Sequence, residues 1–269
     1  MGKQVIVDCI TFYNENFLTN LRFEILDELV DFFVICESKY DHKGKKKPLN
    51  FFLKNKKFKS KIRYIVINEN FPNLGDRWFA EKYQREKLFD ALDDIKENDL
   101  ILFSDSDEIP NPKKLKNLNL KKKYGIFLQN FYVGKFNIFN SYESPWEGTR
   151  VCKKKNLVSF THLRKNILKK NIKKSFWKFY IEKDIEIIKN GGWHFNNFYD
   201  LKTISEKIKT FPHTEYNKDK FTNVDNIKKR LNNLEDIFDR GYKFKKVKID
   251  NSYPEYILNN LKYFRKYTI

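Results

Sequence analysis

The sequence predicts an α/β fold with a mostly parallel central sheet flanked by helices, because short apolar strands alternate with amphipathic helices through its first half. Strands separated by helices pair in parallel, and the helices then cover both faces of the sheet. Such strands are buried on both sides and are apolar almost without interruption. The predicted strands are residues 5–7, 32–36, 62–67 and 100–103.

Two segments between these strands have the spacing of amphipathic helices. The first places its apolar residues at helical intervals, through Leu18, Leu21, Ile25, Leu26 and Leu29. The second covers residues 78–95 and has an apolar side made of Tyr83, Leu88, Phe89 and Leu92. The first half therefore consists of strand and helix units that end at residue 112.

The second half, residues 113–269, has a different pattern of segments, and we expect it to complete a single domain with residues 1–112. A basic connector covers residues 113–123, and the following aromatic-rich stretch predicts a strand pair. A strand over residues 185–188 precedes a sharp turn at Gly191-Gly192. Helices are predicted over residues 201–211 and 226–238, and an aromatic segment that packs on the core is predicted over 253–267.

The composition is that of a folded, strongly basic protein. Hydrophobic residues make up 41% of the chain and aromatic residues 17%, which is ample for a packed core. The 54 Lys and Arg exceed the 35 Asp and Glu, which gives a formal net charge of +19. Such an excess favours anionic partners, but a Lys- and Asn-rich chain also arises in an A/T-rich genome without selection for binding. Both explanations stay open.

The three cysteines, Cys9, Cys36 and Cys152, lack metal-site spacing, and they predict buried free thiols in a reducing compartment. No stretch approaches the roughly 18 apolar residues that a membrane-spanning helix needs. We therefore expect a cytoplasmic protein that contacts an anionic membrane at most from its surface.

An acidic turn follows the predicted strand over residues 100–103. Asp105, Asp107 and Glu108 come directly after this strand, and Pro110 follows them. Like charges this close repel one another beside a buried sheet, and a hard divalent cation with oxygen ligands relieves that repulsion. The alternative is that Asp105 caps the turn before Pro110.

Polar residues also follow the other predicted strands, at residues 11–15 and 37–40. The carboxyl ends of parallel strands meet at one edge of a sheet, where ligands of such folds bind. Glycine-rich nucleotide fingerprints and a P-loop are missing from the sequence. The sequence therefore predicts a site in which a metal holds the phosphates of a nucleotide.

Taken together, these motifs resemble glycosyltransferase family 17. The matching stretches are Tyr13-Asn14-Glu15, Leu21-Arg22, Leu29-Val30-Asp31, residues 34–38, Gly44, Pro48-Leu49, residues 78–85 and 104–110, Gly192-Trp193-His194, and Lys207. The resemblance implies a GT-A-like, Rossmann-type nucleotide-sugar-binding fold and a metal-dependent inverting transfer of sugar, GlcNAc above all, from a UDP-sugar. The acceptor implied is a hydroxyl of a glycan or glycolipid. Residues 113–189 match the family poorly.

The resemblance implies roles for several residues. Asp105 and Asp107 form the metal pair for Mn²⁺ or Mg²⁺, and His194 is the third protein contact with His213 as its rival. The residues assigned to the nucleotide sugar are Thr11, Tyr13 and Asn14 for uracil and ribose, Glu37 for the uracil N–H, Trp78 and Arg85 for phosphate or sugar, and Trp193 for stacking. The alternatives are a salt bridge for Glu37, an ion pair with Glu81 for Arg85, and a core position for Trp193.

The catalytic base is left open among Glu108, Glu147 and Glu215. Inverting transfer needs one carboxylate that accepts the proton of the acceptor hydroxyl. Two other classes of function remain: a metal-dependent nuclease or phosphotransferase acting on nucleic acid, and a carbohydrate-binding protein without catalysis. The preferred hypothesis expects no nucleic-acid partner.

Overall fold

A mixed sheet of ten strands forms the centre of the computed structural model, which describes residues 3–73, 75–210 and 214–269. Eight strands lie side by side in the order β10-β7-β6-β8-β4-β1-β2-β3, and β9 joins β6 to β5. The strands are β1 Ile6–Phe12, β2 Phe32–Ser38, β3 Ile62–Ile67, β4 Leu100–Asp105, β5 Glu108–Pro110, β6 Tyr124–Val133, β7 Ile138–Phe139, β8 Trp146–Lys153, β9 Ile185–Asn196 and β10 Lys245–Lys246.

The strands β3, β2, β1 and β4 are parallel, as the sequence predicts. Their residues alternate between two cores: Ile10 packs with helix α1 on one face, whereas Cys9 packs with helix α2 on the other. The predicted α/β fold with helices on both faces of the sheet is confirmed. The helices are α1 Asn16–Leu26, α2 Arg77–Glu86, α3 Pro112–Lys116, α4 Phe160–Lys165, α5 Leu201–Thr210, α6 Asp219–Thr222, α7 Val224–Asn232 and α8 Glu255–Asn259.

The second half extends the same sheet with mostly antiparallel strands. Strand β8 pairs antiparallel with both β4 and β6, and β6 pairs in parallel with β9. Strand β5, directly after the acidic turn, pairs antiparallel with the end of β9. These pairings bring the last residues of β9 beside the acidic turn.

The prediction of a turn at Gly191-Gly192 is wrong, because β9 continues through both glycines, although its pairing with β6 shifts register between Ile188 and Gly192. Gly192 has a φ of 134°, and a Cβ atom there would lie 2.1 Å from the carbonyl oxygen of Ile109. A Cβ atom on Gly191 would lie 2.7 Å from the backbone nitrogen of Leu128. The glycines therefore allow β9 to pack closely between β5 and β6.

The helices predicted over residues 78–95 and 226–238 exist but end earlier than the sequence pattern indicates, and α5 covers Leu201–Thr210 of the predicted 201–211. The helix predicted over residues 78–95 is α2 followed by a 3₁₀ turn, Lys87–Ala91. Helix α7 ends at Asn232 rather than residue 238, because the chain enters the left-handed region at Leu234, with a φ of 57°. Part of the predicted connector over residues 113–123 is helical, in α3. Phe211 lies outside the described residues.

The three cysteines are buried free thiols, as predicted. Desolvation raises the pKa of Cys36 and that of Cys152 to about 12. Among the described helices, none has the length and apolar character needed to cross a bilayer.

Candidate active site

A cleft of about 420 Å³ lies at the carboxyl ends of β1 and β4. Thr11 and Asp105 are register partners in these neighbouring strands. The polar segments predicted after β1 and β4 therefore meet at one edge of the sheet. Six of the predicted site residues line this cleft: Thr11, Tyr13, Trp78, Asp105, Asp107 and His194.

Asp105 lies at the end of β4 between two arginines. Its Oδ2 is 2.5 Å from Nη2 of Arg164, and its Oδ1 is 3.9 Å from Nη2 of Arg85. Desolvation raises the pKa of Asp105, but the charges of Arg164 and Arg85 outweigh it and hold that pKa below its ordinary value. The side chain keeps 39% of its surface exposed to the cleft, so a carboxylate is available there to a ligand.

Asp107 and His194 face each other across the acidic turn. Nε2 of His194 is 3.4 Å from Oδ2 of Asp107, and the backbone N–H of Phe195 donates to the carbonyl of Asp107 at 2.8 Å. Desolvation raises the pKa of Asp107, but the charge of His194 outweighs it and lowers that pKa to about 2. Burial lowers the pKa of His194, and Asp107 more than offsets this effect, so the pKa lies above its usual value.

The His194 imidazole is held by two aromatic rings, with ring centroids 4.2 Å away for Phe131 and 5.1 Å for Trp146. Its Nδ1 is buried and has no hydrogen-bond partner among the described residues. A buried ring nitrogen without a partner costs free energy unless a ligand satisfies it.

Glu108 does not line the cleft, so the structure does not support its predicted role as the base. Its buried carboxylate accepts hydrogen bonds from Trp146 Nε1 at 2.6 Å, Arg164 Nη2 at 2.7 Å and the backbone N–H of Asp105 at 3.1 Å. Glu108 therefore stabilises the acidic turn by accepting these hydrogen bonds. The alternative interpretation had assigned the capping of this turn to Asp105.

Arg22 supports the acidic turn from inside the protein. Its side chain is fully buried on α1, and its guanidinium binds Asp8 on β1 at 2.5 and 2.6 Å. It also donates to the carbonyl of Glu108 at 2.5 Å and to Oγ of Ser104 at 2.9 Å. The sequence signal for this role is an arginine in the apolar face of a helix, next to Leu21.

The remaining predicted nucleotide contacts lie elsewhere. Glu37 is fully buried and accepts from Lys47 Nζ at 2.7 Å, Tyr64 Oη at 2.6 Å and the backbone N–H groups of residues 50 and 51, so it holds that segment against β2. Its placement favours the salt-bridge alternative. Arg85 does not line the cleft itself: it lies 2.5 Å from Glu81 and 3.9 Å from Asp105, and both of these carboxylates line the cleft. Asn14 lines a smaller neighbouring cleft.

Trp193 on β9 and Glu147 on β8 point away from the cleft, because neighbouring side chains along a strand point to opposite faces of the sheet. His194 faces the cleft, so Trp193 points into the core, where its Nε1 donates to the carbonyl of Ser252 at 3.1 Å. Trp146 likewise lines the cleft, whereas Glu147 turns away and accepts from the backbone N–H of Lys169 at 2.9 Å. Neither Trp193 nor Glu147 therefore lines the cleft.

The structure places Glu215 outside the cleft lining. Glu215 is exposed in the 3₁₀ turn Thr214–Tyr216, and its neighbour Tyr216 lines the cleft in its place. His213 lies outside the described residues.

Several residues of the cleft were not singled out by the sequence. Glu143 and Arg240 come from the second half and lie 3.1 Å apart, from Oε1 to Nη1. The first half contributes Asp41 and His42. These polar residues include Asp41, His42, Glu143, Asn196, Asn197 and Arg240. No local motif marks them, because they meet only when the two halves fold together.

The acidic turn fits a divalent cation that takes two ligands from the protein. Within the described ranges, no three His, Cys, Asp or Glu side chains converge as a complete metal site. The carboxylate of Asp107 and the imidazole of His194 supply an oxygen and a nitrogen donor in one place. Mn²⁺ and Mg²⁺ take their other ligands from phosphate and water in such sites.

The sequence profile of glycosyltransferase family 17 matches residues 2–257. The chain belongs to glycosyltransferase family 17. The resemblance inferred from its motifs is therefore confirmed, and family 17 membership favours a glycosyltransferase over the nuclease alternative.

Curated relatives of this family 17 chain include the beta-1,4-mannosyl-glycoprotein 4-beta-N-acetylglucosaminyltransferases of Rattus norvegicus and Homo sapiens. Each is 33% identical over 116 residues, which cover 39% of this chain. The matched part spans 21% of the rat protein and 22% of the human protein, about a fifth of their length.

Two solved structures resemble the family 17 chain remotely. One is glucosyl-3-phosphoglycerate synthase from Mycobacterium tuberculosis in complex with Mn²⁺, UDP and glucosyl-3-phosphoglycerate. Its TM-score is 0.38 at 10% sequence identity, and the match covers 95% of this chain and 92% of the synthase chain. A glycosyltransferase involved in glycosylation of the major capsid of PBCV-1 has a TM-score of 0.31 at 11% identity, covering 69% of this chain and 81% of its own.

Proposed function

We propose that this chain is a metal-dependent, inverting glycosyltransferase that moves GlcNAc from UDP-GlcNAc to a hydroxyl of a glycan or glycolipid. Family membership supports sugar transfer, and the N-acetylglucosaminyltransferase relatives favour GlcNAc as the sugar. The observation that carries the proposal is the meeting of Asp107 and His194, 3.4 Å apart, in a cleft that Asp105, Thr11 and Tyr13 also line.

Asp107 and His194 would hold Mn²⁺ or Mg²⁺. When bound, the cation neutralises the charge that develops on the departing diphosphate. Lys207 and Arg240 also line the cleft, but Lys207 lies 3.9 Å from Glu15 and Arg240 lies 3.1 Å from Glu143. Carboxylates outnumber these two basic side chains in the cleft lining, so the binding of an anionic donor would depend on the divalent cation.

Asp105 and the exit of β1 would orient the rest of the donor. Arg164 and Arg85 keep Asp105 ionised, so its exposed oxygen accepts hydrogen bonds from ribose or sugar hydroxyls. Thr11 and Tyr13 line the neighbouring wall, where a nucleoside can pack against the Tyr13 ring.

Glu143 is our proposed general base. Among the glutamates that line the cleft, it comes from the second half, where we place the acceptor, and its side chain is one-quarter exposed, at 25%. Glu15 and Glu81 come from the first half. Glu15 accepts from the backbone N–H groups of Tyr13 and Asn14, both at 2.9 Å, and Glu81 binds Arg85 at 2.5 Å. Glu143 is also paired with an arginine, but at the longer distance of 3.1 Å, and that arginine, Arg240, binds Asp236 as well.

The experiment that tests this function measures UDP release from UDP-GlcNAc with and without Mn²⁺, over a panel of oligosaccharide acceptors. We expect release that depends on Mn²⁺ and on acceptor, and a loss of about a hundredfold in His194→Gln. The matched control is Asp94→Asn, an exposed aspartate paired with Arg63 away from the cleft, which should retain full activity.

Two outcomes change the proposal in different ways. Release from another UDP-sugar in place of UDP-GlcNAc would correct the donor and keep the transfer reaction. If folded protein releases no UDP from any UDP-sugar with either cation, the proposed function is wrong.

A further inference from the structure

An aromatic loop, residues 175–181, lies exposed between a 3₁₀ turn, Lys169–Lys173, and β9. The exposed fractions are 63% for Phe176, 70% for Trp177, 84% for Phe179 and 83% for Tyr180. Four large rings in five consecutive residues form a far larger apolar surface than the scattered exposed residues of an ordinary protein surface. Such a surface gains free energy when a partner covers it.

The aromatic loop is surrounded by positive charge. Residues 169–184 contain six lysines and two acidic residues. Both acidic side chains are engaged at the base of the loop: Glu182 is 3.0 Å from Lys123 Nζ, and Asp184 accepts from the backbone N–H of Lys123 at 2.9 Å. The lysines that remain exposed are Lys169, Lys170, Lys173, Lys174 and Lys178.

Hydrogen bonds within the loop hold its backbone. Lys183 Nζ donates to the carbonyls of Phe176 at 3.3 Å and Lys178 at 3.0 Å, and the N–H of Ile181 donates to the carbonyl of Lys178 at 3.1 Å. The backbone polar groups at the centre of the loop are therefore partly satisfied within the protein. Fewer of them would lose water when the rings enter an apolar medium.

We propose that the aromatic loop docks on the surface of an anionic lipid bilayer. The rings would enter the boundary between headgroups and acyl chains, and the lysines would contact the lipid phosphates. Aromatic rings and lysines are the side chains that this interface favours, because each has an apolar body and a polar end. The proposal concerns this surface alone and does not depend on the reaction in the cleft.

The composition of the loop favours lipid over a protein partner. Protein interfaces are enriched in arginine and depleted of lysine. Residues 169–184 contain no arginine and six lysines. Single-stranded nucleic acid, which also takes aromatic and basic side chains, is the alternative that the experiment must separate.

The test is co-sedimentation of the full chain with vesicles of phosphatidylcholine alone and of phosphatidylcholine with phosphatidylglycerol. We expect at least about tenfold stronger binding to the anionic vesicles and a decrease of binding with salt. Brominated lipids should quench the fluorescence of Trp177, which a purely electrostatic contact would not cause.

Two sets of variants locate the surface. The aromatic variant combines Trp177→Ser with Phe179→Ser, and the lysine variant combines Lys173→Gln, Lys174→Gln and Lys178→Gln. Each variant should weaken vesicle binding about tenfold or more. Matched controls are Phe52→Ser, 67% exposed elsewhere, and Lys202→Gln with Lys228→Gln and Lys229→Gln. All variants should keep the melting temperature, because the changed side chains are exposed.

Three results would overturn the proposal: equal binding to neutral and anionic vesicles, unchanged binding in the aromatic variant, or equal losses in the control variants. Binding of a single-stranded oligonucleotide that the loop variants lose, without vesicle binding, would assign the loop to nucleic acid instead.

Discussion

At the scale of single residues, the acidic turn depends on Arg164, which binds both Asp105 and Glu108. We predict that Arg164→Gln lowers the free energy of unfolding by about 3 kcal/mol or more, because two carboxylates, one of them fully buried, lose their shared cation. Urea denaturation measures this loss. The neighbouring Lys165→Gln, on an exposed side chain, should change stability by less than about 0.5 kcal/mol. A loss below about 1 kcal/mol in Arg164→Gln would contradict the assigned role.

Glu143 is the residue on which the proposed mechanism depends most. We predict that Glu143→Gln lowers the turnover number by about a hundredfold or more while Mn²⁺-dependent binding of UDP persists, because the amide cannot accept the proton of the acceptor. Steady-state rates and calorimetric UDP binding measure the two effects. Glu147→Gln is the discriminating variant, since Glu147 points away from the cleft. A loss of turnover in Glu147→Gln with normal rates in Glu143→Gln would reverse the assignment.

The sequence could predict those site residues that lie in short contiguous motifs. Asp105 and Asp107 follow a strand that is apolar enough to be recognised, and His194 follows paired glycines. Glu143 and Arg240 could not be predicted, because they reach the cleft from loops 97 residues apart in the chain. Glu147 was wrongly expected in the site because β8 was not recognised in the sequence. Side chains alternate along β8, so Trp146 lines the cleft and Glu147 points away from it.

At the scale of elements, the close packing of β9 against β5 positions His194. We predict that Gly192→Ala lowers the free energy of unfolding by about 3 kcal/mol or more, because the new Cβ atom would meet the Ile109 carbonyl at 2.1 Å and β9 would have to move. Chemical denaturation measures the loss.

Gly241→Ala is the matched control for the Gly192 variant. Gly241 also has a positive φ, of 79°, but no atom lies within 4 Å of the position of its Cβ. Its replacement should cost about 1 kcal/mol, from backbone strain alone. Equal losses in the two variants would show that backbone strain, and not the contact with β5, explains the role of Gly192.

The strands β1 to β4 could be predicted because each reads as a largely apolar run: β1, β2 and β4 are buried inside the sheet, whereas the edge strand β3 is partly exposed. The strand β3, Ile62–Ile67, has the predicted bounds. The short β5 and the polar β8 could not be recognised, because β5 has only three residues and β8 has no continuous apolar run. The pairing of β5 with β9 also explains why two glycines that suggest a turn are part of a strand.

At the scale of the whole molecule, both halves of the chain build the cleft. The first half supplies the acidic turn and the exit of β1, and the second half supplies His194, Trp146, Glu143 and Arg240. The net charge of +19 does not lie in the cleft, where carboxylates outnumber basic side chains, and residues 169–184, which include the aromatic loop, carry six of the lysines. The sequence could predict the excess of charge but not its position, which depends on the fold.

The proposed function depends on a divalent cation, held by Asp107 and His194, that links the protein to a nucleoside diphosphate. Calorimetric titration of UDP in the presence and absence of Mn²⁺ measures this link, with Asp94→Asn as the control for Asp107→Asn. We expect Mn²⁺ to strengthen UDP binding by about tenfold or more in the wild type and the control, and we expect Asp107→Asn to lose this gain. UDP binding that does not change with Mn²⁺, or a gain that survives in Asp107→Asn, would show that these residues do not hold the cation.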